Sequence, residues 1–163
     1  MVVVTGLRSG TSWAMQIIKA AGHPIMGYDF HPDFSHKGLN PNGYWDLPIA
    51  DVVFGLKTHY KGKAVKLGGA SLLQTDPDFV KKVIVCKRNE KDTIKSIVKM
   101  MTADYDLIGV DPTEENAKMM YEINNLCAEK FLEKNDKPRL YLRFEEMDKS
   151  VDSIKEFLWQ QEQ

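Results

Sequence analysis

The stretch Val2-Val3-Val4-Thr5-Gly6-Leu7-Arg8-Ser9-Gly10-Thr11-Ser12-Trp13 constrains the fold more than any other part of the chain. A β-branched apolar run, a turn of small residues carrying one Arg, and then Ala14 to Ala21 at helical periodicity spell strand, tight loop, helix. At the start of a helix several backbone N–H groups have no intrahelical partner, and the helix dipole adds partial positive charge there, so a tight loop feeding that end favours an anion. Gly10 lets the backbone approach closely, the hydroxyls of Ser9, Thr11 and Ser12 add donors, and Arg8 adds a fixed charge. The expected structure is a phosphate cradle.

With 163 residues the chain is expected to fold as one domain, residues 1–163, without disulfide staples. Lys and Arg number 22 against 23 Asp and Glu, so total charge argues for neither nucleic acid nor membrane as partner, and any anion site must be local. Cys86 in an apolar run and Cys127 in a helical one form neither a disulfide framework nor a zinc pattern, which points to an intracellular, cytoplasmic protein. No apolar run approaches the roughly 18 residues that a membrane span needs, and no basic leader precedes the first strand.

Further along, Ala21-Gly22-His23-Pro24 stops the first helix. A loop from about Met26 to Asp46 is dense in aromatics and turn residues, and is expected to face a substrate as a lid. Its His31 and His36 lack carboxylate or Cys support, so no metal site is expected. A short helix is predicted over Leu47 to Leu56, a second strand at Ala64-Val65-Lys66-Leu67, and a brief turn or helix at Leu72 and Leu73. The run Lys82-Val83-Ile84-Val85-Cys86 is apolar enough for a strand buried on both faces. A helix opening at Asn89 or Asp92 runs to about Met101, and a loop through Asp106, Gly109 and Pro112 leads to the longest helix, Thr113 to Glu133. A fourth strand, Pro138 to Phe144, and a last helix, Ser150 to Trp159, complete the chain. Strands alternating with helices predict an α/β fold with a central, mainly parallel sheet of about four strands between two helical layers. Ligands of such sheets bind at the carboxyl ends of the strands, which puts Arg8, Lys66 with Gly68, and Arg88 along one edge.

The nucleoside-triphosphate form of the first loop, G-x-x-x-x-G-K-[ST], has Lys where this chain has Thr11, which counts against a nucleotide kinase. Thr5-Gly6-Leu7-Arg8-Ser9-Gly10-Thr11-Ser12-Trp13 resembles instead the P-loop T-Y-P-K-S-G-T-T-W of sulfotransferases, without a gap. A second segment, Arg88-Asn89-Glu90-Lys91-Asp92-Thr93-Ile94-Lys95-Ser96, is similar to the R-N-P-K-D-x-x-x-S of that family. Asn40-Pro41-Asn42-Gly43-Tyr44-Trp45-Asp46 matches N-P-x-G-Y-[YW]-[DE] of bacterial sulfotransferase-like sequences, and Leu142-Arg143-Phe144-Glu145-Glu146-Met147 resembles V-R-Y-E-D-L. The R-K-G-x-x-G-D-W tail of cytosolic members is absent. The resemblance implies a P-loop NTPase-like fold and a sulfotransferase that uses 3′-phosphoadenosine 5′-phosphosulfate and releases adenosine 3′,5′-bisphosphate. Its acceptor is a hydroxyl or amine of a small molecule or glycan. By the same resemblance, Arg8, Ser9, Gly10, Thr11, Ser12 and Trp13 hold the 5′-phosphosulfate, and Arg88 with Ser96 holds the 3′-phosphate. A module that binds the nucleotide without chemistry is the alternative.

Cytosolic sulfotransferases use the Lys and His of a K-T-H triplet at the end of their second strand. This chain has Lys57-Thr58-His59, but aligned by strand it is Lys66 that takes the family Lys, and Gly68 falls at the His. The strand alignment is preferred, because a loop preceding the strand would emerge at its amino end, away from the crevice. Arg8 and Lys66 are then the catalytic candidates, and the base remains open between His59, His31, His36 and none.

Overall fold

The structure, a computed structural model, describes residues 1–27, 47 and 60–160. Of the aromatic loop only Met26 and Gly27 are among these, and of the predicted helix after it only Leu47. His31, His36, the Asn40–Asp46 motif and the triplet Lys57-Thr58-His59 lie outside them.

Four strands pair in one all-parallel sheet among the described residues: β1 (Val2–Thr5), β2 (Ala64–Leu67), β3 (Lys82–Lys87) and β4 (Arg139–Arg143), in the order β2-β1-β3-β4. The helices are α1 (Thr11–Ala20), α2 (Gly69–Gln74), α3 (Glu90–Ala103), the single turn α4 (Tyr105–Ile108), α5 (Glu114–Lys134) and α6 (Val151–Trp159). Successive strand residues face opposite sides, and the core divides accordingly. Val2, Val4, Ile84 and Cys86 meet α1 and α6 on one face. Val3, Val65, Val83 and Val85 meet Leu72 of α2 and Phe131 of α5 on the other. With both faces covered, a strand such as Val2–Thr5 has no polar side to show, which is why it reads as an unbroken apolar run. Each fully buried Val or Ile contributes about 1.5–3 kcal/mol.

The chain steps from β1 to β2 on one side, then crosses back to lay β3 on the other side of β1. Such a reversal opens a crevice at the carboxyl ends of the two strands that flank it. Here those ends are Thr5 and Lys87, so the loops at Gly6–Gly10 and Arg88–Asn89 face each other across it.

Several boundaries differ from the sequence expectation, each for a local reason. Helix α1 starts at Thr11 rather than Ala14, because Gly10 takes up the N-cap with φ 93°. The brief turn or helix expected at Leu72 and Leu73 is a helix that starts earlier, at Gly69, whose N–H donates to Asn124 Oδ1 at 2.6 Å. A Cβ on Gly69 would strike the Asn124 carbonyl, so this glycine permits the close crossing of α2 and α5. The loop after α3 contains the turn α4, closed by Gly109 at φ 64°. Helix α5 begins as expected, with Thr113 Oγ1 accepting from the Asn116 N–H at 3.2 Å. No helix of the described residues is long and apolar enough to cross a membrane.

Lys82, only 7% exposed, was not singled out by its sequence context. From the first position of β3 its Nζ donates to the carbonyls of Phe157 and Gln160 at 2.7 Å and of Leu158 at 3.3 Å. These are carbonyls that the end of α6 leaves without a helical partner, so one ammonium caps the helix and ties it to the sheet. Lys82→Met is therefore expected to lower the unfolding free energy by about 1–3 kcal/mol, the cost of orphaned buried polar groups. A drop in the urea midpoint at unchanged slope would show it; an unchanged midpoint would mean the cap carries no net stability.

Trp159, at the end of α6, meets the His23 ring edge-on at a centroid distance of 6.0 Å. Burial first, and then nearby positive charge including Lys82, hold the His23 imidazole below its ordinary value of 6.5. The folded state thus binds a proton less readily than the unfolded one, and stability falls as the pH drops through about 6.5. Replacing His23 by Gln should flatten that part of the stability curve, which denaturant titrations at a series of pH values can measure.

Candidate functional site

The loop between β1 and α1 is built on backbone that few side chains tolerate. Gly6, Arg8 and Gly10 all have positive φ, at 132°, 52° and 93°, and Arg8 is the one non-glycine with positive φ among the described residues. A left-handed residue at every second position curls the chain so that N–H groups can converge on one concavity, the geometry of an anion nest. At Gly6 space also forbids a side chain: a Cβ there would strike both the Ser9 hydroxyl and the Cys86 carbonyl. Ser9 is 3% exposed, and its Oγ donates to that same carbonyl at 2.8 Å. The Ser9 hydroxyl thus fastens the loop to β3, and what it can offer an anion is its N–H.

Arg8 reaches across the crevice. Its Nε donates to Ser96 Oγ, two turns into α3, at 3.0 Å. The two segments singled out in the sequence, 88 positions apart at these residues, are in direct contact. Lys66, on β2, extends its Nζ to within 3.4 Å of Ser12 Oγ at the start of α1, a long hydrogen bond. Arg8, Ser12, Lys66 and Ser96 therefore lie along the carboxyl edge of the sheet, joined in two pairs. Thr11 is buried in the first turn of α1, whereas Trp13 packs against the cluster on the α1 face.

Arg88 does not join Ser96. Its guanidinium lies 4.4 Å from the centre of the Phe144 ring, a cation–π contact, and Trp13 meets Phe144 edge-on at 5.7 Å. Phe144 also closes over the loop, since a Cβ on Gly10 would come within 2.7 Å of its ring. Asn89, beside Arg88, caps α3 by accepting the Asp92 N–H at 3.3 Å, and its own N–H donates to Glu145 Oε1 at 3.2 Å. The backbone N–H groups of Glu145 and Asn89, with Arg88 and Arg143 adding charge, hold the Glu145 carboxyl below its usual range.

Phe144 and Glu145 were visible in the sequence only as part of a strand motif; their place just past the carboxyl end of β4 was the signal for a role at the crevice. Two residues after Lys66, at the end of β2, the chain has Gly68, which has no side chain to act as a base. Compared with protein-family models and with curated proteins, the chain matches none.

The loop geometry yields a direct contrast. Gly62 has φ 75° with nothing described within 4 Å of an added methyl, so Gly62→Ala incurs only the left-handed penalty of about 1–2 kcal/mol. Gly6→Ala adds a collision with the Cys86 carbonyl, and thermal melting should show a clearly larger loss. Equal losses would mean that the loop relaxes freely.

Proposed function

We propose that the chain is a sulfotransferase on a P-loop NTPase-like fold, acting at a crevice between the ends of β1 and β3. The observation that carries the reading is the Arg8–Ser96 hydrogen bond of 3.0 Å, which brings together the two segments that the sequence reading takes for anion-binding. The donor called for is 3′-phosphoadenosine 5′-phosphosulfate, which supplies a sulfuryl group activated by its S–O link to phosphate. The chain's own features fit such a group. The cradle is closed to any Cβ at Gly6 and Gly10, and cationic side chains Arg8, Lys66 and Arg88 come from three strand ends.

In this reading the N–H groups from Ser9 to Trp13, with Arg8, Thr11 and Ser12, hold the 5′ end. Arg88 and Ser96 hold the 3′-phosphate, for which Arg88 leaves the Phe144 ring. The Trp13–Phe144 pair offers an apolar surface between the two for a nucleoside base. As an acceptor hydroxyl or amine forms its bond to sulfur, the sulfur–bridging oxygen bond breaks and negative charge grows on that oxygen. Arg8 and Lys66 stabilise this charge as fixed cations. The acceptor's proton requires a base, which the end of β2 does not supply. That observation, Gly68 at the position of the family His, favours a second reading: a module that binds the nucleotide without transferring from it. The reading includes a cytoplasmic location, supported by two free cysteines.

Titration calorimetry with adenosine 3′,5′-bisphosphate, adenosine 5′-phosphate and ATP with magnesium tests the ligand. Preference for the bisphosphate is expected, and preference for ATP would overturn the reading. Arg88→Ala should weaken the bisphosphate by about 1.5–3 kcal/mol, the range for hydrogen bonds to charged groups, and leave the 5′-phosphate nearly unchanged. Equal losses for both would make Arg88 structural. Transfer of labelled sulfate to a series of hydroxyl and amine acceptors separates enzyme from module. If transfer occurs, Lys66→Ala and Arg8→Ala should abolish most of it with the fold intact, Arg8→Lys should be milder, and His59→Ala should change it by less than about tenfold.

A further inference from the structure

Helix α5 buries Ala117, Asn124, Ala128 and Phe131 where it packs against α2, α3 and the sheet. With about 3.6 residues per turn, the opposite side of the helix carries Met119, Ile123 and Leu126, and all three are half exposed. Single apolar side chains at a surface are ordinary. Three that follow one another at steps of four and three residues form a stripe, and polar residues extend the same row in both directions: Asn116 before it, Lys130 and Glu133 after it. From residue 116 to 133 the spacing alternates between three and four, which is the seam of a coil of helices.

The residues of the seam suit one kind of occupant. β-branched Ile123 alternates with Met119 and Leu126, the order that favours two parallel helices, and Asn116 and Lys130 share the row of Ile123, where a polar residue fixes register at some cost in stability. Charge then selects the orientation. One flank of the seam carries Glu115, Glu122 and Glu129, whereas the other carries Met120, Cys127 and Lys134. Two copies laid antiparallel would set the acidic flanks against each other. Laid parallel, each acidic flank meets the opposite flank of the other copy, so Glu129 and Glu133 stand beside the other copy's Lys130 and Lys134, twice by symmetry. The two Lys130 ammonium groups approach each other across the axis, but carboxylates of both copies surround them. Nearer the middle, Glu122 is paired within its own helix to Lys118 at 3.8 Å and faces only Cys127 of the other copy.

We propose that α5 pairs with α5 of a second copy of this chain, the two helices parallel about a twofold axis that runs along the stripe. Met119, Ile123 and Leu126 each meet their own counterparts there, and the ion pairs at the C-terminal end of the seam keep the two helices parallel. Because the apolar part of the seam is only about two turns long, the dimer is a reversible one that exchanges with monomer. The inference does not depend on sulfuryl transfer, and its test uses no nucleotide.

Sedimentation equilibrium of the full chain over a series of concentrations tests it. The average mass should rise from that of one chain towards that of two. Ile123→Glu changes a half-exposed side chain, so it should melt at the same temperature yet remain monomeric. Orientation is read from two charge-reversed chains, Lys130→Glu with Lys134→Glu and Glu129→Lys with Glu133→Lys. Each alone should dimerise about tenfold more weakly, because like charges then meet, and an equal mixture of the two should recover the dimer. A wild-type chain that stays monomeric throughout, or a dimer that survives Ile123→Glu, would overturn the proposal. So would a mixture that associates no better than its components, since antiparallel helices would keep these C-terminal charges apart.

Discussion

One carbonyl, that of Cys86 near the end of β3, sets the shape of the neighbouring loop. Gly6 lies so close to it that no side chain fits between, and the Ser9 hydroxyl donates to it at 2.8 Å. Loops at the edge of a sheet are ordinarily its least constrained parts, yet this one is held to a strand on each side: covalently to β1 and by hydrogen bond to β3. Its positive-φ residues follow from the same attachment, since the chain must curl within the few residues between the strand end and the first turn of α1. Cys86 itself is buried, and burial pushes its thiol up to about 12, so the residue serves through its backbone and not through its sulfur.

The parts of this architecture that were legible in the sequence are those decided by burial. Val2–Thr5 and Lys82–Lys87 read as strands because both faces are covered, and the parallel order follows from the helical segments between them. The cap at Thr113 was legible because its two partners are near neighbours in the chain. What could not be read depends on partners far along the chain. Gly69 starts a helix because Asn124 accepts its N–H, and Lys82 sits buried because α6 ends where its ammonium can reach. Asn124 breaks the apolar stripe of α5 and looks in the sequence like an ordinary surface position. The crevice was legible in the same measure: the strand ends were, but the Arg8–Ser96 pairing and the ring of Phe144 under Arg88 were not, because they depend on side-chain reach across the gap.

Charge tells a related story at a different scale. The chain carries almost equal numbers of acidic and basic residues, yet Arg8, Lys66 and Arg88 follow or end three parallel strands on the same edge. Parallel strands make this possible, since every carboxyl end falls on one side, and so a chain of nearly neutral total charge can still present a cationic edge.

The hydrogen bond between Arg8 and Ser96 has a thermodynamic side. The bond is charge-assisted already, because its donor is an ionised guanidinium, and the Ser96 hydroxyl satisfies that donor without neutralising it. Held in this way, the Arg8 side chain surrenders most of its rotational freedom on folding. Ser96 keeps a long, flexible cation extended over the crevice, so that the entropy of ordering it is part of folding.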